Sequence, residues 1–132
     1  MSSYQSFEEL PIWKEARKLS LEIYNLTLQY DFSRDFALMT QIRRSAGSVM
    51  DNIAEGFERD GRLEFINFLS IAKGSAGEVR SQLYRAFDLK YLSEDKLNEL
   101  INSYKYLSAQ IANFIKYLNK SENKGNKFKD RV

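Results

Sequence analysis

The sequence predicts an all-α protein, specifically an antiparallel up-down-up-down bundle of four helices. Three observations favour this fold class. Apolar residues recur at spacings of three and four along most of the 132-residue chain. No segment alternates apolar and polar residues as a half-buried strand does, and no Asn-Gly or Asp-Gly hairpin turn joins two such segments. The single proline, Pro11, stands where a first helix begins.

The first two helices follow from their apolar stripes and their end signals. Helix one is predicted to begin at Pro11 and to end near residues 30–33. Its stripe is Trp13, Ala16, Leu19, Ile23, Leu26 and Tyr30. Ser33 is a suitable N-cap for helix two, because its hydroxyl can accept a hydrogen bond from a first-turn N–H, and Gly56 is a suitable stop. The stripe of helix two is Phe36, Met39, Ile42, Ala46, Val49 and Ile53.

Helices three and four carry the longest periodic patterns. A polar linker over 57–61 leads to helix three, predicted from about Arg62 to Lys90. Its buried face is Phe65, Leu69, Ala72, Ala76, Val79, Leu83 and Ala86. Ser93, followed by two acids that favour a helix N-terminus, opens helix four. The seam of helix four is Leu97, Leu100, Tyr104, Leu107, Ile111, Phe114 and Leu118. Short links between long helices predict a bundle over residues 1–120.

Small residues predict where helices two and three cross. If the chain folds back near residues 59–60, positions whose numbers sum to about 119 face each other. Gly47, Gly74 and Gly77 then predict a close backbone approach, since a glycine inside a helix costs about 0.5–1 kcal/mol. The same register predicts a polar network between the helices, for which a structural and a functional role both stay open. Its members are Arg43, Asn52, Glu55, Ser75 and Glu78.

The composition excludes most small-enzyme chemistries. The chain has no cysteine and no histidine, which removes thiolate metal sites, Ser-His-Asp triads and zinc hydrolase sites. Residues 74–77, Gly-Ser-Ala-Gly, do not form a phosphate loop, because they lie in a helical pattern with no preceding strand. Glu55 and Glu58, with Glu64 or Glu78, could form an all-carboxylate metal site, but ion pairs and helix caps also explain these residues. We therefore expect no enzyme activity, no metal and no cofactor.

Charge is unevenly distributed along the chain. Residues 1–119 hold 15 Lys or Arg against 16 Asp or Glu, whereas residues 120–132 hold five against two. Residues 121–132 are predicted to be a basic, flexible tail, either simply solvated or in contact with phosphates. A near-neutral body predicts weak, salt-sensitive nucleic-acid binding at best. The candidate contacts are Arg17, Lys18, Arg43, Arg44, Arg59 and Arg62, the last two being equally well explained as solvated turn charges.

Apolar residues exceed what one bundle core needs. Outside the main stripes, helix three carries Ile66, Phe68, Ile71 and Tyr84, and helix four carries Ile101, Tyr106, Ile115 and Tyr117. Such a second apolar face indicates a partner interface, self-association being the default, or else a wide stripe around a thick core. No run of about 18 apolar residues occurs, so we expect no membrane span and a cytoplasmic protein.

Several motifs together are specific. They are residues 41–49 (QIRRSAGSV), 52–57 (NIAEGF), 64–65 (EF), 68–75 (FLSIAKGS) and Glu78, with 7–10 (FEEL), 12–13 (IW) and 91–92 (YL). With them, the chain up to about Leu118 resembles the bacterial four-helix bundle proteins named for open reading frames in 23S rRNA intervening sequences. The resemblance implies a homopentamer. It also implies kinship with the accessory variability determinant of diversity-generating retroelements, a pentamer that binds nucleic acid and a reverse transcriptase.

These features together predict a non-enzymatic, homo-oligomeric helical scaffold, pentameric by resemblance, that engages RNA or DNA and a protein partner. The retroelement relatives are markedly basic, whereas this body is slightly acidic, which counts against copying their role directly. The alternative is a protein–protein adaptor with no nucleic-acid contact, whose outward apolar face receives a partner helix.

Overall fold

The computed structural model describes residues 4–121, which are helical apart from short connections. Within that range there is no strand, which confirms the all-α bundle. A 3₁₀ turn, Phe7–Glu9, precedes the helices α1 (Pro11–Thr27), α2 (Tyr30–Arg34), α3 (Phe36–Glu58), α4 (Arg62–Asp88) and α5 (Glu94–Ser121). The predicted basic tail lies outside the described residues, except for Ser121 at the end of α5.

The four long helices pack side by side in a cyclic order. α3 packs on α1 and α4, and α5 packs on α4 and α1, so that α1 and α4 are diagonal. The contact between α3 and α4 is the most extensive, and the contact between α1 and α5 is the least extensive of the four. The bundle therefore has four outer faces, each made by two neighbouring helices.

The predicted core of α4 and α5 is confirmed almost completely. Every residue of the predicted α4 stripe is buried, and in α5 Phe114 alone of the stripe is half-buried. Pro11 begins α1 as predicted. Ser93 caps α5, since its Oγ accepts a hydrogen bond of 3.1 Å from the backbone N–H of Lys96. These elements agree because local pattern and packing favour the same structure.

The connection between the first two long helices differs from the prediction. α1 ends at Thr27, and the short α2 turns Phe32 into the core against the Tyr91 ring. Ser33 is not a cap: its hydroxyl donates back to the Tyr30 carbonyl. Asp35 caps α3 instead, accepting a hydrogen bond of 3.1 Å from the Leu38 N–H.

This connection leaves two predicted core residues in solvent. Tyr30 and Phe36 are each 72% exposed, so their placement in the buried stripes was wrong.

The C-terminus of α4 also differs slightly from the prediction. The helix ends at Asp88 instead of Lys90, because Lys90 adopts a left-handed conformation with φ 67°. The Tyr91 N–H then bonds to the Ala86 carbonyl, which closes the helix end.

The register of α3 against α4 is shifted by about one helical turn from the prediction. Ser48 and Ser75 are joined by a hydrogen bond of 2.8 Å, so that contacting residues have numbers that sum to 123 instead of 119. The mid-helix glycines are not in the close crossing. A methyl group added at Gly47, Gly74 or Gly77 would meet no atom within 4 Å.

Gly56 makes the close approach instead. It lies inside α3, which continues to Glu58, so its predicted role as a helix stop was wrong. A methyl group there would stand 2.6 Å from Phe68 Cβ and 3.0 Å from Phe65 Cδ1. The absence of a side chain at Gly56 is therefore what lets α3 and α4 approach beside their shared turn.

The surplus apolar residues divide between the core and the surface. Ile101 is buried, so its placement outside the core was wrong, and Ile66, Phe68 and Ile115 are half-buried. The exposed members are Ile71, Tyr84, Tyr106 and Tyr117. A wide core stripe thus accounts for some of the surplus but not for these four residues.

Tyr104 gives a stability prediction. Its side chain is fully buried in α5, its hydroxyl has no hydrogen-bond partner within residues 4–121, and burial raises its pKa far above the ordinary value. A buried polar group without a partner costs about 1–3 kcal/mol, so we expect Tyr104→Phe to stabilise the fold by about 1 kcal/mol at pH 7. Urea unfolding measures this change, and a destabilisation of similar size would contradict it.

The same residue predicts an alkaline limit. Because folding raises the pKa of Tyr104, its neutral form favours the native state fully below pH of about 10, and that contribution is lost as pH rises further. Tyr91 adds in the same direction, since its hydrogen bond to Asp35 raises its pKa. Urea unfolding at about pH 11 should therefore show a smaller loss for Tyr104→Phe than for the parent chain.

Candidate functional site

One exposed apolar surface lies where α1 meets α3. We call it the α1–α3 face and define it by Leu21, Tyr24, Leu28, Phe36 and Arg43. The three α1 residues follow one another at steps of three and four, so they share one side of the helix. Leu21 is 61% exposed, and Tyr24 and Leu28 are also exposed. This surface was not predicted from the sequence, because the surplus apolar residues were expected in the last two helices.

Arg43 is held rigidly within the α1–α3 face. Its Nε donates a hydrogen bond of 2.8 Å to Thr27 Oγ1, and its guanidinium lies 4.2 Å from the centre of the Tyr24 ring. The Thr27 hydroxyl in turn donates to the Tyr24 carbonyl. A cation stacked on an aromatic ring presents a flat, pre-organised surface to whatever packs on it.

A second surface lies where α3 meets α4. We call it the α3–α4 face and define it by Ser48, Asn52, Ile71, Gly74 and Ser75. Asn52 Nδ2 donates to both the carbonyl and the hydroxyl of Ser48, at 2.8 and 2.9 Å, and the Ser48 hydroxyl meets that of Ser75. Ile71, four residues before Ser75, is 51% exposed. Nothing lies above Gly74 within 4 Å, so the backbone itself is accessible there.

The predicted polar network is divided by this geometry. Asn52 and Ser75 are brought together through Ser48, which the prediction did not include. Arg43 turns toward α1, as described above. Glu55 forms an ion pair of 2.8 Å with Arg59, four residues along the same helix. Glu78 is exposed and makes no ion pair within the described part of the chain.

The six predicted nucleic-acid contacts do not form one patch. Arg17 lies 5.6 Å from the centre of the Trp13 ring on α1. Arg59 lies 5.0 Å from the Phe68 ring at the α3–α4 turn, where it also meets Glu64 at 4.0 Å. Arg43 is engaged in the α1–α3 face, and Arg62 is half-buried at the start of α4. The remaining two, Lys18 on α1 and Arg44 on α3, are exposed on different helices.

A different set of cations shares the groove between α4 and α5. We call it the α4–α5 groove and define it by Lys73, Gly77, Arg80, Lys105 and Lys116. Arg80 Nη1 marks the contact of the two helices, since it lies 3.5 Å from Ser108 Oγ. None of the four cations forms an ion pair within residues 4–121. This groove was not predicted from the sequence, because its lysines are up to 43 positions apart.

At the end of the bundle where α2 and the α4–α5 turn lie, there is a shallow depression of about 520 Å³. Its lining combines both charges with apolar groups, namely Asp31, Arg34, Asp35, Phe36, Leu89, Lys90 and Tyr91. Tyr91 donates a hydrogen bond of 2.9 Å to Asp35 Oδ2, which fixes the α4–α5 turn to the start of α3.

Two other features are absent from the part of the chain that the structure describes. No group of acidic residues there could hold a metal ion. None of the helices in that part combines the length and the hydropathy that a membrane span requires.

Comparisons with known proteins agree with this fold. The family model described as 23S rRNA-intervening sequence protein matches residues 8–113. A solved structure from Bacteroides thetaiotaomicron VPI-5482, described as a protein with unknown function from the S23 ribosomal protein family, is similar at 24% identity. The match covers 80% of this chain and 95% of that chain, with a TM-score of 0.74. Among curated proteins there is no significant match.

Proposed function

The chain belongs to the family of 23S rRNA-intervening sequence proteins, and from that premise we propose that it is a non-enzymatic scaffold whose copies close into a homo-oligomeric ring. The resemblance noted in the sequence implies five copies. The observation that carries the proposal is the presence of two chemically different exposed faces, the α1–α3 face and the α3–α4 face, on either side of one helix.

Two different faces favour a ring over a simple dimer. A two-fold dimer uses the same patch on both subunits, whereas a ring joins one patch to a different one, head to tail. Neighbouring faces of a bundle are inclined to each other, so copies joined through them turn at every joint and close after a few subunits. Opposite faces would instead continue in an open row. In such a ring α3 lies toward the central axis.

Charge also supports the pairing of these faces. In the α1–α3 face Arg43 of α3 lies on the Tyr24 ring, and Arg17 is exposed on α1, whereas Glu22 of α1 is turned toward Lys96 of α5 at 3.9 Å. Glu78 of α4 lies beside Ser75 in the α3–α4 face and is exposed. A positive face with exposed leucines therefore meets a face with Ile71 and an unpaired acid. Complementary potentials of this kind fix which surfaces join.

The first test is the mass of the particle. At micromolar concentration we expect light scattering on the eluted protein to give about five times the 15.5 kDa of one chain. The apolar area of the two faces is the driving term, so the particle should persist at about 0.5 M salt. A single species of 15.5 kDa across the concentration range would refute the ring.

Contact with RNA or DNA forms the second part of the proposal. The body is near neutral, so the expected binding is weak and falls steeply as salt rises. A titration with RNA and with DNA across salt concentrations tests this part separately. If neither binds at low salt, the nucleic-acid part fails and the ring is unaffected.

The alternative function is a protein adaptor without nucleic-acid contact. The observation that favours it is the depression beside α2, where the exposed side chains of Phe36 and Leu89 flank charged groups. Such a site fits the apolar side of a partner helix. Purification with one defined protein and no nucleic acid supports the adaptor over the nucleic-acid scaffold.

A further inference from the structure

The α4–α5 groove contains positively charged side chains and almost no acids near them. Between residues 65 and 87 the single acid of α4 is Glu78, which lies two residues before Arg80 and therefore on another side of the helix. From residue 100 to residue 121, α5 contains no acid at all. Like charges gathered without counter-charges repel one another, so an arrangement of this kind is stabilised by an anionic partner.

The cations of the groove lie at matching heights on the two helices. Starting from the contact of Arg80 with Ser108, Lys73 lies about 10 Å along α4, and Lys116 lies about 12 Å along antiparallel α5 toward the same end. Lys105 lies about one turn from Ser108 in the other direction. The four charges therefore follow one line of roughly 15 Å between the helices.

The same groove is flanked by aromatic rings and has an accessible backbone. Tyr84, four residues after Arg80, is 50% exposed and lies at the height of Lys105. Tyr106 is exposed on the adjoining outer side of α5. At Gly77 no atom lies within 4 Å of the position a side chain would take, so a ligand can approach the helix closely.

We propose that the α4–α5 groove binds a single-stranded nucleic acid, with phosphates along Lys73, Arg80, Lys105 and Lys116 and bases stacked on Tyr84 and Tyr106. The inference rests on the nucleic-acid part of the proposed function and places it on residues other than the six that the sequence suggested. A line of cations between exposed rings is the combination that single-strand binders use. In the proposed oligomeric ring this groove lies outside both subunit faces, so every copy presents it to solvent.

An acidic protein segment fits the groove less well. A helix that docks by its side chains requires apolar sockets, and the middle of this line is the bare backbone of Gly77. Exposed tyrosines add stacking with bases, which an acidic peptide does not return. Loss of the tyrosine rings should weaken the binding of a nucleic acid but not that of an acidic peptide, so one set of variants distinguishes the two ligands.

The test uses the full chain and a fluorescein-labelled oligonucleotide of about 20 thymidines, with fluorescence anisotropy measured across salt. We expect Lys73→Gln with Lys116→Gln to weaken binding about tenfold at about 100 mM salt, and to lower the slope of log affinity against log salt by about 1.4. The matched control is Lys14→Gln with Lys90→Gln, which removes two exposed charges outside the groove. It should bind within about twofold of the parent chain, with a nearly unchanged slope.

A third variant reports stacking. We expect Tyr84→Ala to weaken binding about fivefold or more while leaving the salt slope unchanged, because it removes a ring and no charge. Light scattering of each variant shows whether the particle is intact. Equal affinity of the groove variant and the control overturns the inference. Displacement of the oligonucleotide by polyglutamate at equal charge, with Tyr84→Ala silent, overturns it in favour of an acidic protein.

The outcomes separate this inference from the function on which it rests. If the parent chain binds no oligonucleotide at low salt, the nucleic-acid function and the groove fail together. If it binds and the groove variant binds equally well, only the assignment to the groove fails. If the groove variant loses binding in a particle of parental mass, the ring and the groove are shown to be independent.

Discussion

Leu21→Asp and Ile71→Asp are each expected to convert the assembled particle into monomers. Leu21 belongs to the α1–α3 face and Ile71 to the α3–α4 face, and both side chains are more than half exposed in the single chain. Neither substitution removes a core contact, so the fold of the subunit should remain intact, which circular dichroism checks. Light scattering then reports the loss of assembly directly.

The expected effect is large because each contact in a ring repeats. A carboxylate placed in an apolar contact must be desolvated, and truncation at the centre of an interface costs about 2–4 kcal/mol. A ring cannot close when any of its identical joints is weakened by that amount. The matched control is Tyr106→Asp, which introduces the same charge on the outer side of α5, away from both faces, and should leave the particle intact.

Mixing the two variants distinguishes a ring from a two-fold dimer. In an equimolar mixture, the intact α3–α4 face of Leu21→Asp can join the intact α1–α3 face of Ile71→Asp. The resulting pair has no further intact joint, so we expect a heterodimer of twice 15.5 kDa and nothing larger. If both variants stay monomeric when mixed, the two faces do not bind each other. If either variant alone forms a dimer, the interface is of the two-fold kind.

Much of the fold could be predicted because the periodicity of apolar residues in each helix indicates which side is buried. The α4 stripe from Phe65 to Ala86 and the α5 seam from Leu97 to Ile111 are buried as their periodicity indicates. The errors lie where a contact distant in sequence decides. Phe32 turns inward because Tyr91, on the α4–α5 turn, stacks on its ring at 5.0 Å, and this moves the start of α3 to follow a cap at residue 35.

The interaction surfaces were less predictable, because they depend on register and on which helices are neighbours. Arg43 lies on the side of α3 that faces α1, where its Nε meets Thr27 Oγ1, and therefore away from Glu78 of α4. The α4–α5 groove joins Lys73 to Lys116, and no local pattern connects those two positions. One signal was available, namely that residues 100–121 contain lysines and no acid. This signal indicates a binding groove only when α4 is known to contribute Arg80 to the same groove.

The glycines give the largest expected contrast in stability. Gly56→Ala should destabilise the fold by about 1–3 kcal/mol, because the new methyl group would stand 2.6 Å from Phe68 Cβ. That atom is attached directly to the backbone and cannot rotate away, so α3 and α4 must separate near their turn. Urea unfolding of the parent chain and the variant measures the difference. An unchanged or raised free energy of unfolding would contradict the close approach at Gly56.

Gly77→Ala is the matched control and should act in the opposite direction. It makes the same substitution inside a helix, but no atom lies within 4 Å, so the gain in helix propensity of about 0.5–1 kcal/mol is unopposed. Gly74→Ala has the same open surroundings and should stabilise the isolated subunit equally. Gly74 lies in the α3–α4 face, however, where a neighbouring subunit is expected to approach the bare backbone. A variant that raises the stability of the subunit yet weakens the particle would thus separate what the fold requires of a glycine from what assembly requires.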